Sequence, residues 1–205
     1  MTLLDAHIAM THQRFAFIVA HMRSGSSLLS HILAANAELA GFGECHISYR
    51  SLDDLATLQK QIATSLGDKC DRTRWIFDKI LHNQIDIDES LLASEHGRFI
   101  FLLREPAPSI ASMARAYPSW FTDAPMQPQI VLKRAASYYE ARLKHLLYLS
   151  CLIADRKRSL FFTHNELLHR TQDVFRAMES LLDLSTPLTE TYDLLPTTGK
   201  GRAGD

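Results

Sequence analysis

The run Phe15-Ala16-Phe17-Ile18-Val19-Ala20-His21-Met22-Arg23-Ser24-Gly25-Ser26-Ser27-Leu28-Leu29 decides the fold. An apolar, partly β-branched stretch ends abruptly in small polar residues, and a helical pattern begins at once. Leu28, Leu29, Ile32 and Leu33 share one face at helical spacing. This strand–loop–helix order is that of an anion cradle, in which loop N–H groups and a helix N-terminus converge on a phosphate-like group. Gly25 lets the backbone come close to a ligand, and Arg23 sets a positive side chain at the loop's mouth. The residues do not spell GxxxxGK[ST], so this is not a Walker A loop. The same order occurs in α/β proteins without any ligand there, so the rest of the chain has to decide.

Outward from that run, Phe99-Ile100-Phe101-Leu102-Leu103 is an unbroken apolar stretch, as expected of a central parallel strand covered on both faces. Arg104-Glu105-Pro106 ends it, and Ile110, Met113, Ala114 and Tyr117 mark a helix that tolerates Pro108 near its start. Upstream, Ser51 with Asp54 forms a short variant of the capping box before the stripe Leu52, Leu55, Leu58, Ile62 and Leu66, with Gly67 as the stop. Trp75-Ile76-Phe77 is a short strand closed by Asp78-Lys79, and a helical turn is expected within 86–96. The segment 118–128, with Pro118, Pro125 and Pro128, reads as an irregular loop. A long helix from about 130 to 149 follows, then a strand at Leu160-Phe161-Phe162-Thr163. Thr171 caps a last helix with Val174, Phe175, Met178, Leu181 and Leu182 inside. Strands alternating with helices predict an α/β fold of three layers, a mainly parallel central sheet flanked by helices in the manner of P-loop nucleotide kinases.

The totals bound the function. A chain of 205 residues supports one domain, expected to span 1–205. Lys and Arg total 22 against 23 Asp and Glu, so no overall field attracts nucleic acid or an anionic membrane, and any anion site must be local. Cys45, Cys70 and Cys151 are odd in number and widely spaced, which predicts free thiols in a reducing compartment. The ten His residues contain no H-E-x-x-H and no Cys/His cluster, so no metal site is expected. The apolar run 15–20 is too short to span a bilayer and no secretory leader is evident, so the expected location is cytoplasmic.

Three separated segments, in order, resemble the sulfotransferases that use 3′-phosphoadenosine 5′-phosphosulfate (PAPS). His21-Met22-Arg23-Ser24-Gly25-Ser26-Ser27 is similar to that family's 5′-phosphosulfate loop. Arg104 after a strand, with Ser112 eight positions on, resembles its 3′-phosphate motif. Lys200-Gly201-Arg202-Ala203-Gly204-Asp205 fits its C-terminal KGxxGD loop, and Trp75-Ile76-Phe77-Asp78-Lys79 resembles the strand ending in a functional Lys. The resemblance implies that Arg23, Ser24, Gly25, Ser26, Ser27, Arg104, Ser112, His164, Lys200 and Gly201 hold the nucleotide, with PAPS as cosubstrate, adenosine 3′,5′-bisphosphate (PAP) as product and no metal. It implies a small-molecule acceptor, with Arg23 and Lys79 stabilising charge and Glu44, or else His46, as base. Partial burial is expected to lift the Glu44 carboxyl toward neutrality. Arg23 stands where many cytosolic members carry Lys, His164 where a Tyr often flanks the adenine, and Gly199 where an Arg often precedes the loop Lys.

Other readings stay open at this level. A P-loop small-molecule kinase would share the architecture, although the loop lacks the Lys-Ser/Thr pair. A non-catalytic nucleotide-binding relative would keep the cleft without turnover. Arg104 can equally form an ion pair with Glu105 or Asp123, and His82, Tyr138 and Tyr139 read as structural. Trp120, Phe121 and Tyr49 are candidates for an apolar acceptor wall, and the acceptor and oligomeric state are not specified by the sequence.

Overall fold

Seven residues, Arg14–Ala20, form β1, and all but the first are buried. Alternation sends Ala16, Ile18 and Ala20 into one core and Phe15, Phe17 and Val19 into another, so the strand lies between two layers of helices. The computed structural model describes residues 13–95, 97–121 and 127–194. Chain order continues with α1 (Ser26–Ala35), β2 (Leu39–Ala40), α2 (Leu52–Leu66), α3 (Asp68–Arg72), β3 (Trp75–Ile80), α4 (Glu89–Ala93) and β4 (Gly97–Leu103). Then come α5 (Pro106–Ala116), α6 (Pro118–Phe121), α7 (Pro128–Leu152), a 3₁₀ turn (Arg156–Arg158), β5 (Ser159–Thr163), α8 (His164–His169) and α9 (Thr171–Leu182).

Among the described residues the sheet has five strands in the order β2-β3-β1-β4-β5, all parallel. β1 is flanked by β3 and β4, with Val19 opposite Ile80 and Ala20 opposite Leu102, so three carboxyl ends finish side by side. The chain winds to one side of β1 for β2 and β3 and to the other for β4 and β5. That reversal opens a crevice beyond the strand ends, where open parallel sheets bind ligands. The first core packs α1, α5 and α9 on the sheet, the second packs α2 and α4, and α7 contributes to both.

The expected α/β architecture is present, with local corrections. β3 runs on through Asp78 and Lys79, because each buried polar group there finds partners. Residues 118–121 are helical rather than irregular, and 122–126 lie outside the described residues. α3, β2 and α8 are additional; α8 is announced by a capping box, Thr163 with Glu166. The capping box at Ser51 and Asp54 forms as expected.

Candidate functional site

The turn after β1 is shaped by positive φ at two positions, Arg23 (64°) and Gly25 (92°). Gly25 occupies the N-cap of α1, no side chain caps the helix, and its first turn carries no acidic residue. First-turn N–H groups therefore face out of the loop without an intrinsic partner, at the positive end of the helix dipole. Ser24 is fully buried, and its Oγ has no hydrogen-bond partner. A Cβ on Gly25 would sit 2.4 Å from His164 Cδ2, so the bare glycine lets the imidazole pack on the loop. Burial, then the charges of Arg104 and His169, holds the His164 pKa below its ordinary value.

The ends of β1 and β4 are stitched together. The backbone N–H of Arg104 donates to His21 Nε2 (3.0 Å), and His21 Nδ1 lies 2.8 Å from the Met22 carbonyl. Burial lowers the His21 pKa to about 4, so the ring is neutral, accepting at Nε2 and donating at Nδ1. Arg104 Nη1 donates to the Arg23 carbonyl (3.2 Å), and Arg23 Nε donates to Ser112 Oγ (2.9 Å). The loop after β1, Arg104 and Ser112 thus meet at one place. Arg23, expected to stabilise charge at the sulfuryl end, lines the cavity and bonds Ser112 through Nε. Among the described residues no ion pair holds Arg104; Glu105 makes none with it, and Asp123 lies outside them.

The β3 side is organised by a buried carboxylate. Asp78 Oδ1 accepts the N–H groups of Cys45 (2.9 Å) and Lys79 (2.7 Å), and Oδ2 accepts the Tyr49 hydroxyl. Burial pushes the Asp78 pKa up to about 6 against those hydrogen bonds. This clamp fixes the turn bearing Gly43 (φ 142°), Glu44 and His46 (φ 55°) beside β3. Lys79 Nζ then lies 3.4 Å from Ser27 Oγ and 3.7 Å from Glu44 Oε1, with only 3% of the side chain exposed. Burial lowers the Lys79 pKa, opposed by the charges of Glu44 and Asp78.

Glu44 departs from expectation in one respect. Burial raises its pKa, but His82, Lys79 and His46 outweigh it, and the carboxyl is held below its usual value rather than lifted. The group is ionised at neutral pH. Its Oε2 lies 3.2 Å from His82 Nε2 without an aligned hydrogen bond, so a buried acceptor position stays open. These groups line a cavity of about 230 Å³ that also includes Met22, Gly25, Ser26 and Leu28. Its outer wall is aromatic: Tyr117 stacks on Trp120 (4.8 Å between centroids), Trp120 tilts over His82 (5.8 Å), and His82 faces the exposed His46 (6.3 Å). Of the three residues expected to form an apolar wall, Trp120 lines the cavity. Phe121 and Tyr49 do not: the first packs in the core and the second anchors Asp78.

Four residues that the sequence leaves structural or unnamed lie at or beside the cavity. His82 lines it, with Nδ1 2.8 Å from the hydroxyl of Tyr138, which also packs on the core. Tyr139 donates to the Arg104 carbonyl (2.6 Å) and packs edge-on against His21. Arg142 is fully buried and donates to the carbonyls of Ala20, Ile80 and His82, at the ends of β1 and β3. The signal that was present is position, since His82 follows a strand's carboxyl end at the crevice.

Lys200 and Gly201 lie outside the described residues. The tail before them is held at Thr186, whose carbonyl accepts from Asn36, and at Tyr192, stacked on His31. From Asn36 back to His31 is about 7.5 Å along the axis of α1, so the tail advances toward the helix N-terminus. Among the described residues, no helix is long and apolar enough to cross a membrane, and no group of three His, Cys, Asp or Glu could hold a metal.

No family model matches the chain, and no curated protein sequence does. Solved structures do. The sulfotransferase domain of the olefin synthase of Synechococcus PCC 7002 superposes with a TM-score of 0.60 at 17% identity, over 91% of this chain and 80% of that one. A sulfotransferase domain from the curacin biosynthetic pathway gives 0.59 at 16%, over 92% and 81%. A mouse sulfotransferase complexed with PAP gives 0.51 at 14%, over 87% of this chain and 61% of that one. The chain therefore has the sulfotransferase fold.

Proposed function

We propose that this protein is a PAPS-dependent sulfotransferase acting on a hydroxyl or amine of a small-molecule acceptor. One observation carries the reading: a single cavity gathers the uncapped N-terminus of α1, three cations (Arg23, Lys79, Arg104) and a buried carboxylate with an open acceptor position. The N-terminus of α1, with no side-chain cap and no acidic residue in its first turn, fits an anionic donor. PAP bound to a mouse protein of the same fold supports the choice of nucleotide.

On this reading the loop Ser24, Gly25, Ser26 and Ser27 holds the 5′-phosphosulfate through the first-turn N–H groups of α1, while the Ser24 N–H donates to the His21 carbonyl (3.3 Å) and shapes the turn. Arg104, Ser112 and Arg23 form the 3′-phosphate site, a planar fork and a hydroxyl suited to a phosphate. His164 flanks the adenine, while Lys200 and Gly201 supply the closing loop. The donor brings a sulfuryl group whose bond to the bridging oxygen breaks as its bond to the acceptor forms. Lys79 places its ammonium beside Ser27, where charge on the bridging oxygen develops. Glu44, ionised and lining the cavity, takes the acceptor's proton; His46, on the rim, is the second choice. Trp120 and Tyr117 hold the acceptor. The three cysteines remain thiols in a cytoplasmic setting.

A thermal-shift comparison of PAP with ATP plus magnesium tests the donor class. Stabilisation by PAP alone is expected. Stabilisation by ATP only with magnesium would replace the reading with a kinase, and PAP binding without transfer to any acceptor would leave a binding protein.

A further inference from the structure

We propose that Tyr138 and His82 form a positioning pair that orients the Glu44 carboxylate toward the cavity, a role that rests on Glu44 being the base. His82 lies between two partners, with Nδ1 2.8 Å from the Tyr138 hydroxyl and Nε2 3.2 Å from Glu44 Oε2. An ionised carboxylate can only accept, so the compatible tautomer carries its proton on Nε2. Nδ1 then accepts the Tyr138 hydroxyl. Arg142 holds the His82 carbonyl and Asn83 Oδ1, which fixes the backbone from which the ring projects. Trp120 and His46 flank the ring on the cavity side.

The arrangement steers the carboxylate as well as holding it. Lys79 faces Oε1 and the imidazole faces Oε2, so the plane of the carboxyl group is set by two cationic or donor groups on different elements. Because the His82 contact is unaligned, Oε2 keeps an unfilled acceptor position, on a side chain that lines the cavity. Burial alone would favour the protonated acid; the partners oppose it and keep the base ready. The other charged or titratable groups around this pair are Lys79 and Asp78 on β3, and His46 and Cys45 on the turn. Arg23, Arg104 and Tyr117 lie across the cavity, and Arg142 lies on α7 beneath it.

The test is nuclear magnetic resonance on the intact chain without acceptor. Nitrogen-15 histidine spectra of the wild type are expected to show the neutral His82 ring carrying its proton on Nε2. The carbon-13 titration of the Glu44 carboxyl, assigned with Glu44→Gln, is expected to move up by roughly one pH unit in His82→Phe. It should move up by less in Tyr138→Phe, which deletes one oxygen. A neutral His82 ring with its proton on Nδ1 in the wild type, or a Glu44 titration unchanged in Tyr138→Phe and His82→Phe, overturns the proposal. Should His82→Phe fail to fold, the wild-type tautomer and Tyr138→Phe still decide. A wild-type chain that ignores PAP would defeat the sulfotransferase reading while leaving these resonances to be read, so the two fail separately.

Discussion

The two sides of the cavity are built differently. On the side of β1 and β4, the ligand-facing groups come from short continuous stretches: the loop 21–27 and the Arg104–Ser112 segment. On the side of β3, Glu44, Lys79 and His82 are held by residues remote in sequence, among them Tyr49, Tyr138 and Arg142. The first side is a backbone device that needs small residues and one or two arginines. The second is a side-chain network whose geometry depends on many packed partners. On the proposed function, the difference separates gripping a common donor from activating a particular acceptor.

The sharpest way to break this contrast is Glu44→Gln. Turnover is expected to fall by about 10²- to 10⁴-fold, the usual worth of a general base, while PAP affinity measured by calorimetry changes by less than about threefold. Equal losses in turnover and PAP affinity would merge the two sides.

The next largest effect is in the pH dependence of stability, which carries opposite signs on the two sides. His21 has a folded pKa of about 4 against 6.5, so its contribution is complete above 6.5 and is lost as pH falls toward 4. Asp78 has a folded pKa of about 6 against 3.8, so its contribution is complete below 3.8 and is lost as pH rises through 6. Each corresponds to about 3 kcal/mol, and between pH 4 and 6 they offset one another. Urea unfolding of His21→Gln should show stability falling as pH rises through this window, and Asp78→Asn the reverse. Parallel profiles for wild type and both variants would refute the assignment.

Arg104→Ala comes third. It removes a bidentate cation and the tie to the Arg23 carbonyl, and PAP affinity is expected to drop about 10- to 100-fold. Ser112→Ala, losing one hydroxyl, should cost about two- to tenfold by the same calorimetry. A larger loss for Ser112→Ala than for Arg104→Ala would mean that the Arg23–Ser112 bond, not Arg104, organises the 3′ side.

Legibility follows the same division. β1 and β4 were readable because strands buried on both faces leave unbroken apolar runs, and α2 because its capping box is local. The nearness of Arg104 and Ser112 to the loop after β1 agrees with the family resemblance in their spacing. β3 reads short because Asp78-Lys79 looks like a strand end; the remote Tyr49 hydroxyl and Cys45 N–H, with the adjacent Lys79 N–H, make a buried carboxylate tolerable there. His82 and Tyr138 stand 56 residues apart, and no periodicity reports such a pairing. The direction of the Glu44 pKa was misjudged for the same reason. Burial is legible from an apolar neighbourhood, whereas the cations that outweigh it arrive through tertiary structure.

Arg142 carries a consequence for motion. One buried guanidinium is shared among the last carbonyls of β1 and β3 and the residue that presents the His82 ring. Loosening any of these termini strands a charge that cannot be discarded, so fraying on the β1 side of the crevice is coupled to fraying on the β3 side. The two halves of the crevice should breathe as a unit, with their amide exchange rising and falling together.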